Sequence, residues 1–366
     1  MKKVFDVLLA HNKFKAEAFV KELEGKKPLF VCTIATTETA KIPGISAAGK
    51  HPEFTDYTPP ADAELLLLGK CKCIKGVPVT PDGIPTPALI TLSALRLADI
   101  PVLVASGGLK VKPQIPFLDL GGKPGKDIRT GNAVDNVEEV IERATLAGEN
   151  LAKTADYLVI GESIPGGTTT ALGVLSAMGV NANEKVSSSM PNNPHGLKTE
   201  SVKAGLAASG ESFGSLAKNP IKAISRLGDP MISAFAGLVI GAAAQVPVLM
   251  AGGTQMSAVL AVVNALNSDV LCNVAIGTTR WVTSDRSSDL SGIVTQISDV
   301  PILAADLDFA PSRFSGLQAY EKGVVKEGVG AGGAAIVAMA NLGGAVTKDM
   351  LLKEIERNYA LLMGTK

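Results

Sequence analysis

The 366-residue sequence carries 35 lysines and arginines against 35 aspartates and glutamates, a formal net charge of zero with no basic stripe, which excludes a nucleic-acid binder. Its length suits one large α/β domain with an appendage or two domains, and 46% hydrophobic residues assure a sizeable core. Cys32, Cys71, Cys73 and Cys272 do not make a secreted disulfide framework, and His11, His51 and His195 are too scattered to complete a zinc site with Cys71 and Cys73, so a reducing compartment and no metal are expected.

At the N-terminus, Met1-Lys2-Lys3 leads into a short apolar stretch, VFDVLLA, that Asp6 interrupts; no signal peptide is read, and a cytoplasmic protein is expected. Residues 13–23 form an amphipathic helix stopped at Gly25. Apolar runs of strand length follow at 28–34, 64–68, 101–105, 157–160, 246–250, 270–276 and 300–304. Helical patterns lie between them at 137–155, at 168–178 before Gly179, and at 254–266. Residues 121–131 and 187–195 have loop compositions. The uncharged stretch 230–268 is punctuated by Gln245, Pro247, Gly252, Gly253 and Gln255, so it reads as buried helix, strand, turn and helix rather than as a membrane span. A last amphipathic helix covers 347–363, with Thr347 as N-cap and Met350, Leu351, Ile355 and Leu362 on its apolar face. The alternation predicts a doubly wound, mostly parallel sheet with helices on both faces over 26–345. The ends, 1–25 and 346–366, are expected to pack together as a small helical subdomain, the alternative being that each covers a different edge of the sheet.

In such a sheet ligands sit beyond the carboxyl ends of the strands. Four strands end in glycine and polar residues: 106–108, 161–162, 252–254 and 277–280. The most informative is YLVIGESIPGGTTTAL at 157–172, where a strand runs into a glycine-rich turn that opens a helix. Gly166 and Gly167 allow close backbone approach, and Thr168 to Thr170 add hydroxyls and unpaired helix N–H groups, so the turn either holds a phosphate or is only a tight connection. Glu162 is electrostatically costly beside a phosphate, which points to a task such as binding sugar hydroxyls. Near the C-terminus, Glu327 stands in the glycine-lined turn KEGVGA before an apolar helix pattern at 334–342. It is either a solvated loop residue or a desolvated general base.

GESIPGGTTTAL at 161–172 resembles the GEMGIGNTT segment of nicotinate-nucleotide:dimethylbenzimidazole phosphoribosyltransferases, and EGVGA at 327–331 is similar to their E-G-T/S-G-A segment. AFAGLVIGAAAQVPVLMAG within 228–252 is similar to the family's buried helix and strand. The likeness covers roughly residues 85–345 and is greatest to the archaeal and cyanobacterial branch. It implies transfer of phosphoribose from nicotinate mononucleotide to 5,6-dimethylbenzimidazole, giving α-ribazole 5′-phosphate and nicotinate for the lower ligand of cobalamin. It further implies a homodimer without a cofactor. Carried over, Glu327 is the general base, flanked by Gly328 and Gly330. Glu162, Gly166, Gly167, Thr168 and Thr169 surround ribose and phosphate, Lys198 contacts the phosphate, and Gly252, Gly253 and Thr254 complete the substrate site. Two departures stand out: SSSMPNN at 187–193 replaces a glycine-rich segment, and Ala251-Gly252-Gly253 lacks the family's Asp-Gly carboxylate. Thr80, Thr86 and Ser93 are the candidates for touching the base.

A transferase using phosphoribosyl pyrophosphate would need an Asp-Asp pair before a Thr/Gly loop, which does not occur here, and a dinucleotide-binding dehydrogenase would need G-x-G-x-x-G straight after a strand, a glycine spacing that the 161–167 turn lacks. A nucleotide-sensing protein on the same fold is the non-enzymatic alternative, and Glu327 discriminates, because a sensor needs no base.

Overall fold

The computed structural model describes residues 2–48, 51–190 and 192–364. Nine strands form one sheet: β1 (Lys3–Val4), β2 (Val7–His11), β3 (Pro28–Ala35), β4 (Val102–Gly108), β5 (Leu118–Asp119), β6 (Tyr157–Ser163), β7 (Val248–Ala251), β8 (Val274–Thr279) and β9 (Ile302–Ala305). Their order is β1-β2-β9-β8-β7-β6-β3-β4-β5. All neighbours from β9 to β5 are parallel, while β1 and β2 add an antiparallel edge on β9. The chain leaves β3 toward β4 and β5, then returns to place β6 on the other side of β3. The β3–β6 boundary is therefore the topological switch point, where a crevice opens beyond the strand ends.

Side chains alternate across the sheet as the pleat requires. Val31, Leu158, Ile160, Val248 and Met250 enter one core with helices Val137–Leu151, Gly167–Ala177, Pro230–Ala243 and Gln255–Leu266. Phe30, Cys32, Ile34, Val159, Leu249 and Ala251 enter the other with helices Thr58–Leu68, Ala88–Leu97 and Ala331–Asn341. Burial on both sides explains why the central strands read as continuous apolar runs.

Three expectations need correction. Residues 64–68 are the end of a helix: Pro59 and Pro60 stand in its first turn, Gly69 closes it in the left-handed conformation, and its apolar run packs on β3, β4 and β6. The run at 270–276 divides into a 3₁₀ turn, Ser268–Asn273, and β8. The N-terminal VFDVLLA supplies β1 and β2, so the chain's start belongs to the sheet.

Helix Lys13–Leu23 packs on β2 and on helix Ala331–Asn341, whereas helix Lys348–Met363 packs on helix Ala88–Leu97. The terminal helices thus cover separate stretches of one face and share its core, rather than pairing into a small subdomain. Thr347 caps the last helix, its hydroxyl accepting from the Met350 N–H. Among the described residues, no helix is long and apolar enough to cross a membrane.

Candidate active site

A cleft partly open to solvent lies at the switch point. Its walls come from the ends of β6 and β7, the serine loop 187–189, the turn 325–329, and the segment 78–87. That last segment is a small proline-rich loop. Thr80 N–H bonds to Ile84 O at 2.9 Å, Thr86 N–H to Pro78 O at 3.0 Å, and the Tyr320 hydroxyl donates to Pro85 O at 3.0 Å.

Glu327 lines the cleft at the start of helix Ala331–Asn341. That helix rests on the sheet backbone to backbone: a Cβ on Gly330 would stand 2.9 Å from Gly161 Cα, and one on Gly332 would strike the Thr278 carbonyl carbon at 2.1 Å. Glycine is required there because any side chain would lift the helix and the turn before it. The turn is also strained. Val325, Lys326 and Val329 have φ of 68°, 58° and 55°, a region costly for non-glycine residues and more so for β-branched ones. Hydrogen bonds hold it: Val325 N–H to Ser189 O at 2.9 Å, Thr279 Oγ1 to Lys326 O at 2.6 Å, and Val329 N–H to Glu162 O at 2.7 Å.

Burial pushes the Glu327 carboxyl up to about 7, against the pull of the Gly328 and Gly332 N–H groups and the Thr278 hydroxyl. Gly328 N–H lies 3.1 Å from Oε1, Gly332 N–H 3.2 Å from both oxygens, and Thr278 Oγ1 3.4 Å from Oε2. Glu162, at the end of β6, is 2% exposed and sits well above the carboxylate range through burial and the nearby Glu327 and Asp229 carboxyls. A third acid was missed in the sequence. Asp62, also lining the cleft, accepts from Thr86 Oγ1 and Ser163 Oγ, each at 2.7 Å, and burial raises it to about 7. Its signal was an acid just ahead of the apolar run 64–68, in the helix Thr58–Leu68 that the strand reading of that run did not reveal.

At the polar end of the cleft two helix N-termini meet. Gly166, with φ 79°, caps helix Gly167–Ala177, and a Cβ on Gly167 would come within 2.4 Å of Gln255 Oε1 at the first turn of helix Gln255–Leu266. Gly166, Gly167, Thr168, Gly253 and Thr254 all line the cleft. Thr169, Gly252 and Gly330 lie behind the wall: Thr169 is fully buried, Gly252 packs on Met256, and Gly330 packs on Gly161. Among the four glycine-bearing strand ends, 106–108 stands apart, with Gly107 facing Pro230, and Arg280 is drawn outward to Glu321 at 2.6 Å. Thr80 and Thr86 reach the cleft, whereas Ser93 turns inside its helix, donating to Leu89 O at 2.7 Å.

Lys198 departs from the sequence expectation. Its side chain is fully buried behind the serine loop, donating to Ser187 O at 2.5 Å and Asn193 Oδ1 at 3.0 Å, and it is absent from the cleft wall. Burial, reinforced by the neighbouring Lys326, lowers it to about 7. Among the described residues, the cation on the wall is Lys326, whose Nζ lies 2.7 Å from Asp285 Oδ2. Pro191, within the same loop, is outside the described residues.

A family model described as phosphoribosyltransferase matches residues 95–280, just over half of the chain. The chain belongs to the phosphoribosyltransferase family. Its relatives include "UPF0284" proteins of Methanothermobacter thermautotrophicus, 46% identical over 91% of this chain and 94% of the relative, and of Sulfurisphaera tokodaii, 45% identical over 92% and 94%. These are archaeal, in keeping with the branch that the motifs resemble. Among solved structures, CobT from Thermus thermophilus has the same fold, with a TM-score of 0.58 at 17% identity over 96% of this chain and 94% of that one. A nicotinate-nucleotide-dimethylbenzimidazole phosphoribosyltransferase from the same organism superposes with a TM-score of 0.57 at 17% identity, over 98% of this chain and 95% of that one.

Proposed function

We propose that this phosphoribosyltransferase moves the phosphoribosyl group of nicotinate mononucleotide onto 5,6-dimethylbenzimidazole or a related base, as a homodimer. The observation that carries the reading is Glu327: a carboxyl whose pKa is raised to about 7 inside a cleft that is also lined by glycines and two helix N-termini. In this reaction the bond from C1′ to the pyridinium nitrogen breaks with its electron pair going to nitrogen, so nicotinate leaves without an acid. The free ring nitrogen of the incoming base bonds to C1′, and its N–H proton passes to Glu327. A base with its pKa near the working pH combines a useful ionised fraction with driving force for accepting that proton.

The surroundings fit the charges involved. A cationic pyridinium and an oxocarbenium-like transition state suit a cleft that bears Asp62, Glu162 and Glu327, while the helix N-termini at Gly166–Thr168 and Thr254–Gln255 suit the phosphate. Glu162, protonated or ionised, can hydrogen-bond ribose hydroxyls. A sensor would gain nothing from holding Glu327 near neutrality in a strained turn, which favours the enzyme. The test is incubation of the purified chain with nicotinate mononucleotide and a panel of benzimidazole and purine bases, with chromatography for nicotinate and the new nucleotide. Release of nicotinate that depends on the added base supports the proposal; none with any base or with alternative phosphoribosyl donors refutes it.

A further inference from the structure

The phosphate end of the cleft holds a buried ion pair that the sequence motifs do not assign. Lys326 is 3% exposed yet forms part of the wall, and its Nζ meets Asp285 Oδ2 at 2.7 Å. Asp285 is fixed from its other side, Oδ1 accepting from Ser287 N–H at 2.9 Å and Ser287 Oγ at 2.8 Å, while the Ser187 hydroxyl donates to Oδ2 at 3.2 Å. An ammonium has three N–H donors, so this geometry leaves Lys326 donors to spare.

Three contacts locate Lys326 among the anion-binding elements. Val325 N–H bonds to Ser189 O, tying its turn to the serine loop; Ser187 N–H bonds to Thr254 Oγ1 at 2.9 Å, tying that loop to helix Gln255–Leu266. Gln255 in turn abuts Gly167. Lys198 stands on the far side of the same loop, its ammonium donating to Ser187 O and Asn193 Oδ1.

Taking the phosphoribosyl reading above as given, we infer that Lys326 is the cation that receives the 5′-phosphate and that Asp285 holds its ammonium in place until the phosphate arrives. Lys198 is then a positioning residue that shapes the serine loop from behind. The phosphate anchor and the general base are consecutive residues of one strained turn, so the span from phosphate to reacting base is set by that turn.

The test uses ribose 5-phosphate and ribose as probes in titration calorimetry with the full chain. The wild type should bind ribose 5-phosphate far more tightly than ribose. Lys326→Met should weaken ribose 5-phosphate roughly 30-fold, the worth of a charge-assisted hydrogen bond, and leave ribose unchanged. Asp285→Asn, which removes the competing anion, should keep or tighten ribose 5-phosphate binding. Because Lys326→Met leaves Asp285 buried without its partner, Lys326→Met/Asp285→Asn serves as the folded control and should show the same loss. If Lys326→Met and Asp285→Asn weaken binding alike, the pair is only structural, and the assignment fails; it also fails if the double variant binds like the wild type. A wild type that does not distinguish ribose 5-phosphate from ribose would overturn the phosphoribosyl reading itself, a separate outcome seen without any variant.

Discussion

Replacing Glu327 with glutamine tests the base and its environment together. Glutamine keeps the shape and one acceptor oxygen, but its amide N–H₂ confronts the Gly328 or Gly332 N–H that the carboxylate now accepts. Turnover should fall by about 10²-fold or more, the usual worth of a general base. The wild-type rate should follow ionisation of a group near 7: roughly half its plateau at pH 7, a tenth at pH 6, and nearly full at pH 8.5. Stability should move the other way. Raising this carboxyl from 4.5 to about 7 means that keeping it ionised in the fold costs roughly 3 kcal/mol at pH 8, a cost the neutral amide avoids. After subtraction of about 1 kcal/mol for the mismatched N–H contacts, Glu327→Gln should still unfold at higher denaturant than the wild type at pH 8. At pH 4 the stabilisation should vanish. The assays are nicotinate release from pH 5.5 to 8.5 and urea unfolding at pH 4 and 8. A wild-type profile without an inflection near 7, or a variant with normal turnover, would refute the assignment; equal stability at pH 8 would show that the carboxyl is not desolvated as described.

Other outcomes follow from the same geometry. Gly167→Val should raise the dissociation constant for nicotinate mononucleotide more than tenfold while affecting its phosphate-free riboside less, because the new Cβ meets Gln255 Oε1 at the cradle; calorimetry with equal losses for both would point to misfolding instead. Gly330→Ala should cost roughly 2–4 kcal/mol in urea unfolding, from a φ of 68° and a contact of 2.9 Å with Gly161 Cα, and an alanine variant as stable as the wild type would contradict the packing. With no ligand bound, the protein should lose stability as pH rises from 5 to 7. Asp62 and Glu327, both raised to about 7, and Asp229, raised to about 6, hold protons in the fold that the unfolded chain releases near 4, so their contribution is full below that value and lost through 6 to 7. Lys198, lowered to about 7, acts with the opposite sign only above that pH; a thermal midpoint that rises between pH 5 and 7 would refute the sign. Turnover should persist in excess EDTA, since cleavage to nicotinate turns a pyridinium nitrogen neutral and develops no new negative charge for a metal to neutralise; loss on chelation with rescue by magnesium would favour a pyrophosphate donor.

The central strands were legible because burial on both faces leaves an uninterrupted apolar signature, and the glycine motifs because close backbone approach at Gly161, Gly166 and Gly330 leaves no room for a side chain. The edge pair β1–β2 was not, since two- and five-residue strands broken by Asp6 carry too little pattern. The apolar run at 64–68 was misread because periodicity does not separate a short buried helix from a strand. Lys198 was misplaced for a different reason: a motif fixes a residue's position on its helix but not the side of the serine loop its ammonium reaches. Asp285 and Lys326, 41 residues apart, carry no local sign that they meet.

The two walls of the cleft differ in how they can change. The wall bearing Glu327 rests on backbone contacts at Gly330, Gly332 and Gly333, where adding a single methyl displaces a helix, so its contours are closed to gradual variation. The loop 78–87 meets the cleft through Pro78, Val79, Ile84, Pro85 and Pro87, side chains outside the sheet, while its Thr80 and Thr86 hydroxyls are tied to Ile84 N–H and Asp62. Drift in which base is accepted, across relatives or under laboratory selection, should therefore accumulate in that loop while the chemistry beside it stays constant. An enzyme engineer seeking a new nucleobase would randomise these loop positions and leave the glycines alone.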